Sequence, residues 1–155
     1  MNIINVDIIT SQNDALWADV SYLVNEPAPK PVLVMTNENE SANPADDLLR
    51  KMLGACHLTA GQYHVITLKD GQKAAWHQLR ELLGPKIILL FGIAPTQLGI
   101  SALFKINEPN HFNDRVWLPT LSVKEIETKQ EAKTQLWNNG MKPIFIEKKF
   151  GPLSA

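Results

Sequence analysis

Ile87-Ile88-Leu89-Leu90-Phe91 is an unbroken apolar run held between Pro85 and Gly92. A run with no polar face reads as a strand covered on both sides, the kind found inside parallel sheets. Gly92 allows a sharp turn or a close approach of the backbone to something else. Ala94-Pro95-Thr96-Gln97-Leu98 then reads as a short helix with proline in its first turn, before Gly99 and Ile100. Strand, glycine turn and helix start make half of a βα crossover, and in open parallel sheets ligands sit at that edge. The simpler reading is a core strand with a tight turn and no ligand.

The segments on either side alternate between strand and helix patterns. Val32-Leu33-Val34-Met35 is a short apolar strand, followed by a polar loop over 36–42. Asn43-Pro44-Ala45-Asp46-Asp47 predicts a helix start, with Asn as cap, Pro in the first turn and acids against the dipole. Leu48, Leu49, Met52, Leu53 and Cys56 mark its buried face, and it ends near His57. Tyr63–Leu68 is a second strand. Lys73–Leu83 is an amphipathic helix closed by Gly84. Residues 103–114 read as irregular, and Val116-Trp117-Leu118 as a short strand leading to Pro119 and Thr120. Ser122-Val123-Lys124-Glu125 is a capping box. The helix it opens ends at Asn138-Asn139-Gly140, leaving 142–150 as a tail with an apolar centre. The expected fold is α/β: a three-layer α/β/α sandwich around a mostly parallel, four-stranded sheet.

Residues 1–30 form an N-terminal arm and strap, and 31–155 a single α/β domain. Asn13–Val24 has Leu16, Val20, Leu23 and Val24 on one helical face. Glu26-Pro27-Ala28-Pro29-Lys30-Pro31 then breaks regular structure and favours an extended strap. An arm packed on its own domain needs little strap; an arm reaching a protein partner uses one. On the second reading Leu16, Trp17 and Tyr22 are the partner-binding residues, since aromatic side chains dominate interface energetics.

Net charge is −1 overall, but residues 1–47 carry Lys30 against eight acids, and 48–155 carry 14 basic and eight acidic residues. That does not suggest a strong nucleic-acid binder, which needs a dense basic stripe, so DNA binding is expected to be weak, with Kd on the order of 10⁻⁴ M or worse at physiological salt. Cys56 is the only cysteine, which excludes an internal disulfide and any all-cysteine metal site within one chain. No run is apolar for the roughly 20 residues a bilayer span needs. The N-terminus lacks the basic region of a secretory signal. A cytoplasmic protein without membrane contact, metal or cofactor is expected. The four histidines form no metal-binding pair; His111 alone lies in the irregular stretch after the central strand, where a ligand could sit. Glu38, Glu40, Asp46 and Asp47 could supply an acid/base pair, although a solvated loop and helix-dipole compensation account for them.

The ordered series of segments over residues 31–139 resembles the uracil-DNA glycosylase superfamily, nearest to its bacterial and archaeal iron–sulfur branch. Leu48–Leu53 with Tyr63–Thr67 is similar to that family's first helix and second strand. Pro85–Gly99 resembles its proline-led central strand, glycine turn and Gln-containing short helix. Val116–Leu121 with Ala132–Trp137 resembles its last motif and terminal helix. The resemblance implies a base-binding side formed by Thr67, Gly92, Pro119 and Thr120. It also places the departures on the chemistry. Only Glu38 matches the loop that orients water, Thr67 stands for the uracil-reading Asn, and Leu118 stands for the His of the His-Pro-Ser motif. Leucine offers no donor to charge developing on a leaving base. The cluster-binding cysteines are absent. Non-catalytic use of such a fold is similar to the psi-subunit family of bacterial DNA polymerase III, which has an N-terminal arm and a body that hold other replication proteins. The resemblance therefore implies a non-catalytic interaction protein of replication or repair. The alternative is a divergent glycosylase acting on a flipped base through Glu38 or His111.

Overall fold

A computed structural model describes residues 28–37, 43–69 and 72–149, apart from the side chains of 43–47 and 60. Strand β1 (Val32–Asn37) leads to helix α1 (Asn43–Ala55), strand β2 (Tyr63–Leu68), helix α2 (Trp76–Leu83) and strand β3 (Ile87–Phe91). A short tight-turned helix, Pro95–Leu98, precedes strands β4 (Asn110–Phe112) and β5 (Arg115–Thr120). Helices α3 (Val123–Thr128) and α4 (Gln130–Gln135) follow, and α4 runs into a wide, π-type helical segment, Leu136–Ile146.

The sheet has the order β2-β1-β3-β5-β4. The β1–β2, β1–β3 and β3–β5 pairs are parallel, and β4–β5 is antiparallel. The expected four strands are thus joined by a fifth, short edge strand inside the stretch read as irregular. Three residues are too few for a periodic signal, and β4 exists because its backbone can pair with β5.

Side chains alternate across the central strands. Val34, Leu89, Phe91 and Leu118 enter one apolar layer with Leu53, Ile126 and Leu136. Leu33, Met35, Ile88, Leu90 and Trp117 enter the other with Leu79 and Leu83. Helices therefore cover both faces, as a continuous apolar strand requires. Each fully buried Leu or Ile contributes about 1.5–3 kcal/mol relative to exposure. Strand β2, at the edge, alternates buried and exposed residues.

The local signals hold where they are short-ranged. Gly84 sits at φ 52° and donates its N–H to the Arg80 carbonyl, closing α2. Ser122 caps α3: its Oγ accepts from Glu125 N–H at 3.2 Å, while the Glu125 carboxylate accepts from Ser122 N–H at 3.4 Å. Three boundaries differ from expectation. Helix α2 starts at Trp76 rather than Lys73, because Ala74 N–H is drawn to the Gln97 carbonyl at 2.9 Å. The helix after Ser122 is two helices, broken where Lys129 adopts φ −123°, ψ 94°. The chain does not leave the helical path at Gly140. It continues to Ile146, because Met141, Ile144 and Phe145 bury themselves in the α1-side layer. Gly140 serves close packing there: a Cβ would lie 2.6 Å from Leu118 Cδ1.

Candidate functional site

Order reversal in a parallel sheet leaves a crevice at the carboxyl ends of the strands flanking the reversal. Here successive connections leave β1 towards β2 and then return to β3 on its other side, so the crevice lies between the ends of β1 and β3. Register places Thr67, Thr36, Phe91 and Thr120 in one row along that edge, with Gly92 and Pro119 beside it. The four binding positions implied by the resemblance are thus brought to one edge by the fold.

The polar groups on this edge have intrachain partners. The hydroxyls of Thr36 and Thr67 lie 3.3 Å apart. Thr120 Oγ1 donates to Asn107 Oδ1 at 2.6 Å, and both residues are buried. Asn107 also donates its N–H to the Pro119 carbonyl at 2.8 Å, held at φ 64°, a conformation Asn tolerates. Pro119 itself sits inside β5, beyond the last residue that β4 pairs, where no ladder N–H is needed. Gly92 adopts φ 71°, and a Cβ there would meet Ser122 Cβ at 2.9 Å. The close approach that this glycine permits is made to the N-cap of α3. Gln97 joins the two faces of the loop system, accepting from Ala94 N–H and donating to the Gln72 carbonyl.

His111 is elsewhere. It pairs with Val116 at the amino end of β5, four residues before Thr120, or about 13 Å at strand rise. The structure therefore does not join it to the carboxyl edge. Glu38 and Glu40 lie outside the described residues, as do the side chains of Asp46 and Asp47, and so do Leu16, Trp17 and Tyr22. Among the described residues no group of three or more His, Cys, Asp or Glu is placed to hold a metal ion. No helix there is long and apolar enough to cross a membrane.

At the opposite, amino edge the strap is tied down. His64 Nε2 donates to the Ala28 carbonyl at 2.6 Å, Lys30 N–H to the Leu83 carbonyl, and the Pro31 carbonyl accepts from Lys86 and Ile87. Its last residues are therefore part of the body, which neither the prolines nor the charge pattern signals.

The feature least legible in the sequence is a groove of about 240 Å³ between α1 and the α4–Leu136 segment. Leu48, Met52 and Ala55 form one wall, and Leu136, Trp137 and Met141 the other, with Lys51 and Lys133 on its lining. Leu48, Met52 and Ala55 recur at i, i+4, i+7, a spacing that marks an apolar face but not what covers it. The volume is below the roughly 300–1,000 Å³ of drug-sized ligand pockets.

Cys56 is 2% exposed in the α1-side layer. Burial pushes its thiol from the ordinary 9.0 up to about 12. At pH 8 the native thiolate is about 1000-fold scarcer than in an unfolded chain, so alkylation by iodoacetamide should be slower by that order, or limited by unfolding. Labelling at the unfolded rate in native buffer would overturn the assignment. The linkage follows: the unfolded chain loses this proton first, so the stability contributed by the neutral thiol is full below about pH 9 and lost between 9 and 12.

No protein-family model matches this chain. No curated protein matches it with significance either.

Proposed function

We propose that this chain is a non-catalytic interaction protein, built on a uracil-DNA glycosylase-like plan, that engages a protein partner through its N-terminal arm. The observation that carries the reading is the packing of Ser122 onto Gly92 at the carboxyl edge. A glycosylase keeps that edge open for an extruded base; here the turn is filled by the chain's own helix cap. The Thr120–Asn107 and Thr36–Thr67 pairs support the same reading, since the two hydroxyls in the positions of a base-reading set, Thr67 and Thr120, are each engaged by a neighbouring side chain of the chain itself. Leu118 is buried in the core, where the family's motif has its histidine. The assignment to replication or repair machinery stands on the resemblance of plan.

The arm supplies the partner contact, with Trp17, Tyr22 and Leu16 as its anchors. Tagged full-length protein should capture a specific partner, and Trp17→Ala should lose it. Removal of residues 1–27 should act likewise while lowering the melting temperature by less than about 10 °C, since Ala28 and its bond to His64 are kept. A larger fall would place the arm in the core and sink this role for it. Excision of uracil from single- or double-stranded DNA that disappears on Glu38→Ala would overturn the non-catalytic reading.

A further inference from the structure

Two arginines converge on one turn at the amino end of β5, away from the carboxyl edge. The β4–β5 hairpin turns through Asn113 and Asp114, at φ 56° and 60°. Arg80, on α2, donates from Nη1 to Asn113 Oδ1 at 3.1 Å. Arg115, the first residue of β5, donates from Nη1 to the Asn113 carbonyl at 2.8 Å and from Nε to the Pro85 carbonyl at 3.1 Å. The Trp76 indole Nε1–H shares Asn113 Oδ1 at 3.1 Å. The Arg115 guanidinium lies over the Trp76 ring, 5.5 Å from its centroid. Both arginine side chains are thereby held in place, and both residues are partly buried.

The acceptors that hold them are all neutral. Among the described residues neither guanidinium has a carboxylate within ion-pair distance. Asp114 is next in the turn and Glu81 next on α2, but both are exposed and neither reaches an arginine. Carbonyl oxygens position a guanidinium without neutralising it, so two positive charges are fixed around a single residue. A guanidinium carries five N–H donors, and most of these remain free on both arginines.

The ligand that fits is an oxyanion, because the guanidinium fork matches pairs of phosphate or carboxylate oxygens. Two forks with two charges favour a dianion over a singly charged carboxylate or phosphodiester. A phosphate monoester carries about −1.5 to −2 charge at pH 7 and three strong acceptor oxygens. Arginines already held in place lose little further side-chain freedom on binding it. Trp76 is 6% exposed, with Arg115 over its ring, so it offers no surface for a nucleobase to stack on. The exposed carboxylates of Asp114 and Glu81 repel a polyanion such as nucleic acid.

We propose that Arg80 and Arg115, set around the Asn113 turn, form a binding site for the phosphate monoester group of a small molecule. The site reads the phosphate rather than the group that carries it. It is independent of the arm and of the partner role given to it above.

The test is a titration of the full chain with phenyl phosphate and with inorganic phosphate, followed by proton–nitrogen NMR. The reporters are the backbone amides of 113–115, the Nε–H groups of both arginines and the Trp76 indole N–H. Saturable shifts at these groups are expected at low millimolar concentration. Dimethyl phosphate and acetate, with one charge each, should need several-fold more. Arg80→Gln and Arg115→Gln should each weaken phosphate binding several-fold, and together abolish the shifts. The Trp76 indole resonance reports whether each variant keeps the turn; should Arg115→Gln lose it, Arg80→Gln decides. No saturation, an equal response to the monoanions, or binding that survives both substitutions would each overturn the proposal. An end-phosphorylated oligothymidylate should bind no tighter than phenyl phosphate. Binding several-fold tighter would assign the site to nucleic acid and overturn the small-molecule reading.

Discussion

Leu90→Asp should abolish folding: expression into inclusion bodies, and no cooperative melt in any fraction recovered. Leu90 is 0% exposed and sits on β3, with β1 on one side and β5 on the other. Its side chain enters the α2-side layer among Leu33, Met35 and Leu79, none of which can pair with a carboxylate. An uncompensated buried charge costs several kcal/mol even after relaxation, and protonating it instead still leaves an unbonded polar group in the core. That, with the loss of leucine packing, is comparable to the whole 5–15 kcal/mol stability of a typical domain. Two controls locate the effect. Leu90→Met keeps shape and polarity and should cost less than about 1.5 kcal/mol. Val65→Asp, on edge strand β2 with 44% of the side chain exposed, should leave a soluble, folded protein. A soluble Leu90→Asp variant with a sharp thermal transition would mean that β3 is not the covered central strand.

Trp117→Ala should lower the melting temperature by about 10 °C or more. Trp117 is the largest fully buried side chain among the described residues. Its ring meets Trp76 edge-on at 4.7 Å, Phe104 at 5.5 Å and Phe112 at 5.9 Å, and its Nε1–H donates to the Phe112 carbonyl at 2.9 Å. Removing a buried Trp typically costs about 3–5 kcal/mol, and each kcal/mol is worth about 2–4 °C at this size. The loss should be felt beyond the cavity. Phe112 and Phe104 belong to the 101–114 connection, and Trp76 is also tied to that connection through Asn113 Oδ1. Near-UV circular dichroism should lose amplitude together with stability, and amide exchange over 104–113 should accelerate. Trp117→Phe keeps most of the ring packing and should lose only about 1–2 kcal/mol, chiefly through the unpaired Phe112 carbonyl. An alanine variant that melts within about 2 °C of the parent would show that the cluster does not anchor the connection.

What the chain settles by itself is what neighbouring residues settle with one another. The apolar run from Ile87 to Phe91 can be stable only between two covered faces, so a central strand with helices on both sides follows from it. Ser122 with Glu125 closes its own capping box, and Gly84 ends a helix because glycine, lacking a Cβ, adopts φ 52° without strain. Cys56 was legible as core because it follows Met52 and Leu53 on one helical face. Tertiary structure decided whatever depends on a residue far along the chain. Gly92 announces a close approach, but not that Ser122, 30 positions later, makes it. Gly140 looks like a helix terminator until Leu118 is seen beneath it. The hydroxyl of Thr120 would suit a ligand, and Asn107 takes it instead. His111 stands near the central strand in sequence and near the wrong end of β5 in space, because an antiparallel return reverses direction. The groove beside Trp137 exists only because α4 and its continuation settle across from α1. Hydrophobic periodicity marks each wall as apolar, and the gap between two walls is a property of neither.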